Sequence, residues 1–257
     1  MQSKPNIGKR TRRPVLAVQI DALDWNAALA RLCSWGGAHE SRYVCICNVH
    51  SVVTATKDTE FMRVVNEADL ATPDGAPVAW ILRRQGIRAQ ARINGPDLMW
   101  RYLVEAERLG QVVSFYGSTS ETLEGLRKTI LSAFPHLRLG CMISPPFRPL
   151  SPEEDAAKVA EVNEAGTAVL FVGLGCPKQE KWMAAHRGHV NAVMVGVGAA
   201  FDYHAGIVRR APLWMQQNGL EWLHRLLSEP RRLWRRYLVT NTLFVVLAAR
   251  QLFLGRY

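Results

Sequence analysis

The sequence predicts an α/β protein: a mostly parallel, Rossmann-like sheet with helices on both faces, followed by a basic, amphipathic helical appendage. Three observations predict it. Short apolar runs that read as strands alternate with segments of helical periodicity, the pattern of βαβ units. Glycine- or proline-marked turns follow several of those runs, at "TPDGAP", "YGST", "GLGCPKQE" and "GVGAAFD". Such turns fall at the carboxyl ends of the strands, where open parallel sheets hold their ligands. Finally, net positive charge gathers at the two ends of the chain and not in its body.

Each element follows in order. Residues 1–13 carry Lys4, Lys9, Arg10, Arg12 and Arg13 with no acid, and read as a basic arm. "PVLAVQIDAL" is a first strand, and "DWNAALARLCSWG" is a helix started by Asp24. "RYVCICNVHSVV" is a buried strand ending at Asn48, and "TATKDTEFMRVVNEA" has helical spacing through Phe61, Met62, Val64 and Val65. "DLATPDGAPVAWILRR" gives a short strand, a Pro-Asp-Gly turn and a helix. The next helix has Pro96 in its first turn and Gly110 at its end. "QVVSFYGS" is a strand closed by Gly117 and Ser118, with the helix "TSETLEGLRKTILSAFP" behind it. "LRLGCMISPPF" is a strand and exit loop. Ser151 caps a helix with Pro152, Glu153 and Glu154 in its first turn. "TAVLFVGLGCPKQEKWMAAHRG" is a strand, a glycine-rich loop and a helix, and "VNAVMVGVGAAFDYHAG" is a last strand and loop. Pro230 opens a second terminal helix, with Ser228 near its cap.

The organisation is therefore an arm over 1–13, a core over 14–205 and a helical appendage over 206–257, with the core expected to fold without the appendage. The net charge of +10 divides into +5 on the arm and +7 on the appendage, which leaves the core near −2. A nearly neutral domain between basic ends suits an anionic surface better than a uniformly basic nucleic-acid binder does. The start lacks the apolar stretch of a secretory signal. The odd number of cysteines, five, reads as reduced side chains and not a disulfide framework. The run "LFVVLAARQLFLG" is broken by Arg250 and Gln251 and is shorter than the ~20 residues of a membrane span, so it is expected to lie on a membrane, not across one.

Two stretches carry candidate chemistry. In "GLGCPKQE", Gly173 and Gly175 permit close backbone approach, a helix N-terminus behind them favours an anion, and Lys178 adds positive charge. Gly117 marks a similar strand end. The loop is not a phosphate-binding P-loop, because no GKS or GKT follows. "VGVGAAFD" lacks the third glycine of the dinucleotide fingerprint, which leaves a nicotinamide oxidoreductase as a weak competitor. Asp74 sits in the Pro-Asp-Gly turn. Taken alone it is a turn former; placed at a strand's carboxyl end it is also the best general base of the first half. His186 and His189 lack a third metal ligand, and no metal or cofactor is expected.

Read together, "NVHSV", "ADLATPDGAPVAW", "RINGPDL", "FYGS", "GLGCPKQEKW", "GVGAAFDYHAG" and "RAPLWMQQNGLEWLHRLLSEPRRLWRRY" resemble the WecG/TagA/CpsF family of bacterial glycosyltransferases over about residues 14–240. The resemblance implies metal-independent, inverting transfer of a sugar from a UDP-sugar donor to a sugar on a polyprenyl diphosphate. It places the protein peripherally on the cytoplasmic face of the bacterial inner membrane, in exopolysaccharide or cell-surface polysaccharide synthesis. It puts the base on Asp74, and pocket residues on Asn48, Arg92, Gln179 and Asp202. Family members often have Thr two residues before the Asn, where this chain has Ile46. Arg225, Arg232 and Arg235 match the arginines that the family's appendage supplies to lipid diphosphate. Arginine forks suit phosphates, and the interleaved Leu, Trp and Phe suit a membrane interface. UDP-glucose is the favoured donor, with UDP-N-acetylmannosamine or its uronic acid as alternatives. A homo-oligomer is left open. Outside this class, the two basic ends leave a nucleic-acid-binding protein as the competing reading; under the family reading nucleic acid is not a partner.

Overall fold

A computed structural model describes residues 10–255, except for the side chains of Arg232 and Leu254. Lys4 and Lys9 of the basic arm lie outside the described residues. The elements are β1 (Arg12–Val15), β2 (Val18–Asp21), α1 (Trp25–Gly37), β3 (Arg42–Cys47), α2 (Val49–Ala55), α3 (Thr59–Glu67), β4 (Leu70–Pro73), α4 (Ala76–Arg84), α5 (Gly95–Leu109), β5 (Val113–Gly117), α6 (Ser120–Ala133), β6 (Leu139–Ile143), α7 (Pro152–Glu164), β7 (Val169–Gly173), α8 (Lys178–Ala185), β8 (Val193–Gly196), α9 (Ala200–His204), α10 (Leu213–Gln217), α11 (Glu221–Ser228) and α12 (Pro230–Leu254). The main sheet has six strands in the order β4-β3-β8-β7-β5-β6, parallel at each pairing from β3 through β6. The α/β class with a terminal helix is thus as the sequence predicts.

The chain forms two compact units, each built from separate stretches. The first takes Trp25–Cys45 and Gly95–Val208, and the second takes Arg10–Asp24, Ile46–Asn94 and Arg209–Tyr257. The stretch read as one core, 14–205, therefore contributes to both.

In the first unit, β7 lies between β5 and β8, with Val113 opposite Val169 and Val169 opposite Val193. These strands are continuous apolar runs because helices cover both faces; Phe115, Phe171 and Val195 are fully buried. Ser151 forms the expected cap of α7, accepting from Glu154 N while the Glu154 side chain accepts from Ser151 N.

In the second unit the expected first strand is a hairpin. β1 and β2 pair antiparallel, with Val15 opposite Val18, because the chain turns at Leu16, which takes a left-handed φ of 54°. Asp21, on β2, is buried; its Oδ2 accepts from Ala71 N at the start of β4 (2.7 Å) and from Arg10 Nη2 (2.7 Å). Arg12 donates to Asn66 O and Ala68 O, each at 2.8 Å. Arg10 and Arg12, counted in the basic arm from sequence, thus brace the approach to β4. A second difference lies at "NVHSVV". The strand stops at Cys47, and α2 begins at Val49, because Asn48 and Ser51 make a reciprocal capping box. Those two bonds outweigh the strand preference of the valines that follow.

α12 belongs to the second unit and packs on α2. Leu233, Thr240, Phe244 and Ala248 are buried at the helical spacing of one face. Gln251 extends the contact to the hairpin, donating to Pro14 O (2.9 Å) and accepting from Leu16 N (3.0 Å). On another face Trp234, Leu238, Val245, Val246 and Phe253 are exposed. Pro230 is the first helical residue, but the cap position is Glu229, not Ser228; Ser228 closes α11 and its Oγ donates to His224 O (2.9 Å). Among the described residues, no helix is long and apolar enough to cross a membrane.

Candidate active site

In the second unit, three of the expected residues are held by two strand ends. Asp74 directly follows β4, and its N–H donates to Cys47 O, the last residue of β3, at 2.9 Å. That bond ties the Asp74 backbone to the residue before Asn48. Gly75 then takes a φ of 84°, a left-handed conformation that a residue with a Cβ adopts only under strain. The turn leaves Asp74 half-buried and starts α4 at once. Asn48 is exposed. Its Oδ1 accepts from Ser51 N (3.1 Å), so the group with which it can meet a ligand is the Nδ2 amide. Arg92 is fixed from the same side, since the next residue, Ile93, donates to Pro73 O (2.8 Å).

Arg92 is ion-paired to Glu221 on α11, and Arg210 Nε lies 3.5 Å from the other oxygen of the same carboxylate. Two guanidinium groups thus share one anion. Sequence reasoning passed over Glu221 and Arg210; the signal was present between Arg210 and Arg225, where Glu221 is the one acid. Of the appendage arginines, Arg225 is half-buried, with its Nε 4.0 Å from Oε1 of Glu229 one turn away. Arg235 is exposed, with its guanidinium over the Trp234 ring at 5.3 Å. The side chain of Arg232 lies outside the described set. Arg236, not singled out from sequence, faces His50 on α2. Burial and, secondly, the Arg236 charge push His50 down to about 4, so this imidazole is neutral at physiological pH.

The first unit holds the glycine-rich strand ends. β5 and β7 approach so closely that a Cβ on Gly117 would sit 2.7 Å from Gly173 C and O, and one on Gly173 would sit 2.7 Å from the Phe201 ring. These two glycines are therefore required by packing, whatever a ligand asks of them. Gly175 has a φ of 78° and open space around it, so it serves the loop's turn. Lys178 is exposed at the start of α8. Gln179 is only 4% exposed; its Oε1 accepts from Gly175 N (3.2 Å), and its Nε2 donates to Glu180 Oε1 (2.9 Å). Asp202 is half-buried on α9, and its carbonyl accepts from Ile207 N and Val208 N. His186 is buried, with Nδ1 2.7 Å from Trp182 O and Nε2 2.7 Å from Asp155 Oδ2, whereas His189 is exposed. Among the described residues, no group of three or more His, Cys, Asp or Glu side chains is placed to hold a metal ion.

The structure thus gathers Asn48, Asp74 and Arg92 around two adjoining strand ends of one unit, and Gly117, Gly173, Gly175 and Gln179 around the strand ends of the other. Comparison with known proteins adds what geometry alone does not. The chain is 31% identical over 194 residues to the N-acetylglucosaminyldiphosphoundecaprenol N-acetyl-beta-D-mannosaminyltransferase of Bacillus subtilis (strain 168), covering 74% of this chain and 73% of that protein. Residues 13–257 match the glycosyl transferase WecG/TagA/CpsF family. A strand-end carboxylate, glycine-rich loops and an arginine-rich terminal helix thus belong to a member of the WecG/TagA/CpsF family of glycosyltransferases.

Proposed function

We propose that this glycosyltransferase moves a sugar from a UDP-sugar to a sugar on a polyprenyl diphosphate, with inversion and with Asp74 as the base. The observation that carries the reading is the placement of Asp74, whose backbone is bonded to Cys47 O beside Asn48. The carboxylate takes the proton of the acceptor hydroxyl as its oxygen attacks the anomeric carbon, and the bond from that carbon to UDP breaks. Such a base supplies ~10²–10⁴-fold. The leaving diphosphate gains negative charge, which preorganised cations and backbone N–H groups stabilise. Lys178 and the Gly173–Gly175 loop are assigned to the donor. Arg92, Arg225, Arg232 and Arg235 are assigned to the phosphates, and the Nδ2 amide of Asn48 and Asp202 to the sugars.

The name of the Bacillus subtilis relative carries an N-acetylmannosaminyl group and an N-acetylglucosaminyl lipid acceptor. This supports UDP-N-acetylmannosamine ahead of UDP-glucose as donor. The exposed face of α12, with Trp234, Leu238, Val245, Val246 and Phe253 beside Arg235 and Arg250, supports peripheral attachment to an anionic membrane. We place that membrane at the cytoplasmic face of the cell envelope, where a lipid-linked acceptor meets a nucleotide sugar.

The test is a donor screen with purified protein and synthetic polyprenyl-diphosphate N-acetylglucosamine, in EDTA. Transfer from UDP-N-acetylmannosamine at a rate at least tenfold above UDP-glucose is expected. Preference for UDP-glucose would restore the donor favoured by the sequence alone, and transfer only after magnesium or manganese is added would remove metal independence.

A further inference from the structure

Glu180 is a buried acid to which the proposed mechanism gives no part. It is 1% exposed and sits in the first turn of α8. Its Oε1 accepts from Gln179 Nε2 at 2.9 Å, while its Oε2 is buried with no hydrogen-bond partner. An enclosed carboxyl is unfavourable to fold around unless it does something a hydrocarbon cannot. What it does here is visible in its neighbour. A primary amide can rotate by half a turn at little steric expense, exchanging donor for acceptor. The Gln179 amide is held one way round because a donor faces its oxygen and an acceptor oxygen faces its nitrogen. Gly175 N–H can only donate, to Oε1 at 3.2 Å, and the Glu180 oxygen receives the Nε2 hydrogen. The same amide lies against the strand end of β8: a Cβ on Gly196 would stand 3.0 Å from Gln179 Nε2, and one on Gly198 3.7 Å from Oε1. Gln179 is therefore bonded to the Gly175 loop and packed close to the end of β8.

We infer that Glu180 is a positioning residue: by accepting from Gln179 Nε2 it fixes the orientation of that amide, and through it the Gly173–Cys176 loop. The loop's shape depends on a polar contact because Gly175 brings no side chain to pack. With the acceptor removed, Gln179 Nε2 is left buried and unpaired, so the amide turns away and releases Gly175 N–H. Burial raises the Glu180 carboxyl from 4.5 to about 7, against the opposing hydrogen bond from Gln179. Both protonation states keep an oxygen that can accept from Gln179.

For catalysis the inference rests on the reading that this loop meets the donor, so its test uses two separate measurements. Hydrogen exchange of the Gly175 amide in the purified full-length protein reports the loop without any substrate. Glu180→Met, close in volume but with no oxygen, should speed that exchange at least tenfold, while Glu180→Gln, which can still offer an oxygen, should restore it to within about threefold of wild type. If Glu180→Met does not fold, Glu180→Leu takes its place. The second measurement is the KM for the UDP-sugar, expected to rise at least tenfold in Glu180→Met with little further change when Gln179→Ala is added, as groups acting in series are non-additive. Unchanged exchange at Gly175 would overturn the role of Glu180. Faster exchange with an unchanged KM would instead keep that role and remove the loop from the donor site.

Discussion

Asp74 and Glu180 are carboxyl groups with opposite surroundings. Asp74 is half-buried at the end of β4, with its main chain anchored to Cys47 and a left-handed glycine behind it. If it takes the acceptor proton, Asp74→Asn should lower turnover by ~10²–10⁴-fold while UDP binding, followed by calorimetry, stays within about threefold. Near-normal turnover would take Asp74 out of the mechanism. Glu180, raised from 4.5 to about 7 by burial, gives a prediction in stability. A carboxyl with a raised folded-state pKa binds its proton more tightly when folded, so its contribution is complete below pH 4.5 and is lost as pH rises through about 7. Glu180→Gln carries no such proton. Wild-type protein should therefore lose thermal stability relative to Glu180→Gln between pH 5 and pH 8, with equal slopes over that range counting against a buried titrating acid. Sequence reading found Asp74 because its turn and position were visible in "TPDGAP". It passed over Glu180 because a Glu in the first turn of a helix ordinarily points to solvent and complements the dipole, and only tertiary packing buries this one.

The elements show where local signals compete. Capping chemistry was legible at Ser151, where the cap, the proline and the acids stand before a plainly helical run. At Asn48 it was not, because Val49, Val52 and Val53 continue the strand-like pattern of "RYVCIC" and hide the box formed by Asn48 and Ser51. The β1–β2 hairpin was missed for a related reason: Leu16 adopts the positive φ of its turn, without the glycine or asparagine by which such turns are recognised. The parallel strands were legible because burial on both faces makes them long and apolar. Asn48 consequently has two parts to play, and two substitutions separate them. Asn48→Asp keeps the Oδ1 acceptor that caps α2 and removes the Nδ2 amide, so chemical denaturation should match wild type within about 0.5 kcal/mol, as expected between good capping residues. Its sugar transfer should nonetheless fall at least tenfold. Asn48→Ala loses the cap as well and should be destabilised by ~1 kcal/mol. If Asn48→Asp transfers sugar normally, Asn48 is a helix cap and nothing more.

At the scale of the whole chain, the terminal 52 residues carry +7 of a net +10, and α12 is where that charge meets hydrocarbon on more than one side. The sequence suggested an appendage that a self-sufficient core could lose. Leu233, Phe244 and Ala248 are buried where α12 packs on α2, and on that packing we propose that the second unit needs α12 to fold. Leu233→Ala or Phe244→Ala should destabilise it by ~2–5 kcal/mol, the usual range for emptying a core position, and truncation near Gly206 should unfold that unit instead of merely detaching it from a membrane. Truncation therefore cannot test docking; substitution on the exposed face can. Leu238 and Val245 are 62% and 65% exposed, so Leu238→Glu with Val245→Glu removes no core packing and leaves the melting temperature within a few degrees. The pair introduces two negative charges and removes two apolar contacts at the proposed interface. Since each basic residue near anionic lipid contributes ~1 kcal/mol, the double variant should sediment with phosphatidylglycerol vesicles at least tenfold less than wild type, and added salt should weaken wild-type binding further. Transfer to a short-chain, water-soluble diphosphate acceptor should be unchanged, because no group assigned to the chemistry is altered. Undiminished sedimentation would show that this face of α12 is not what meets the membrane. Loss of transfer to the soluble acceptor would show instead that the same face completes the active site.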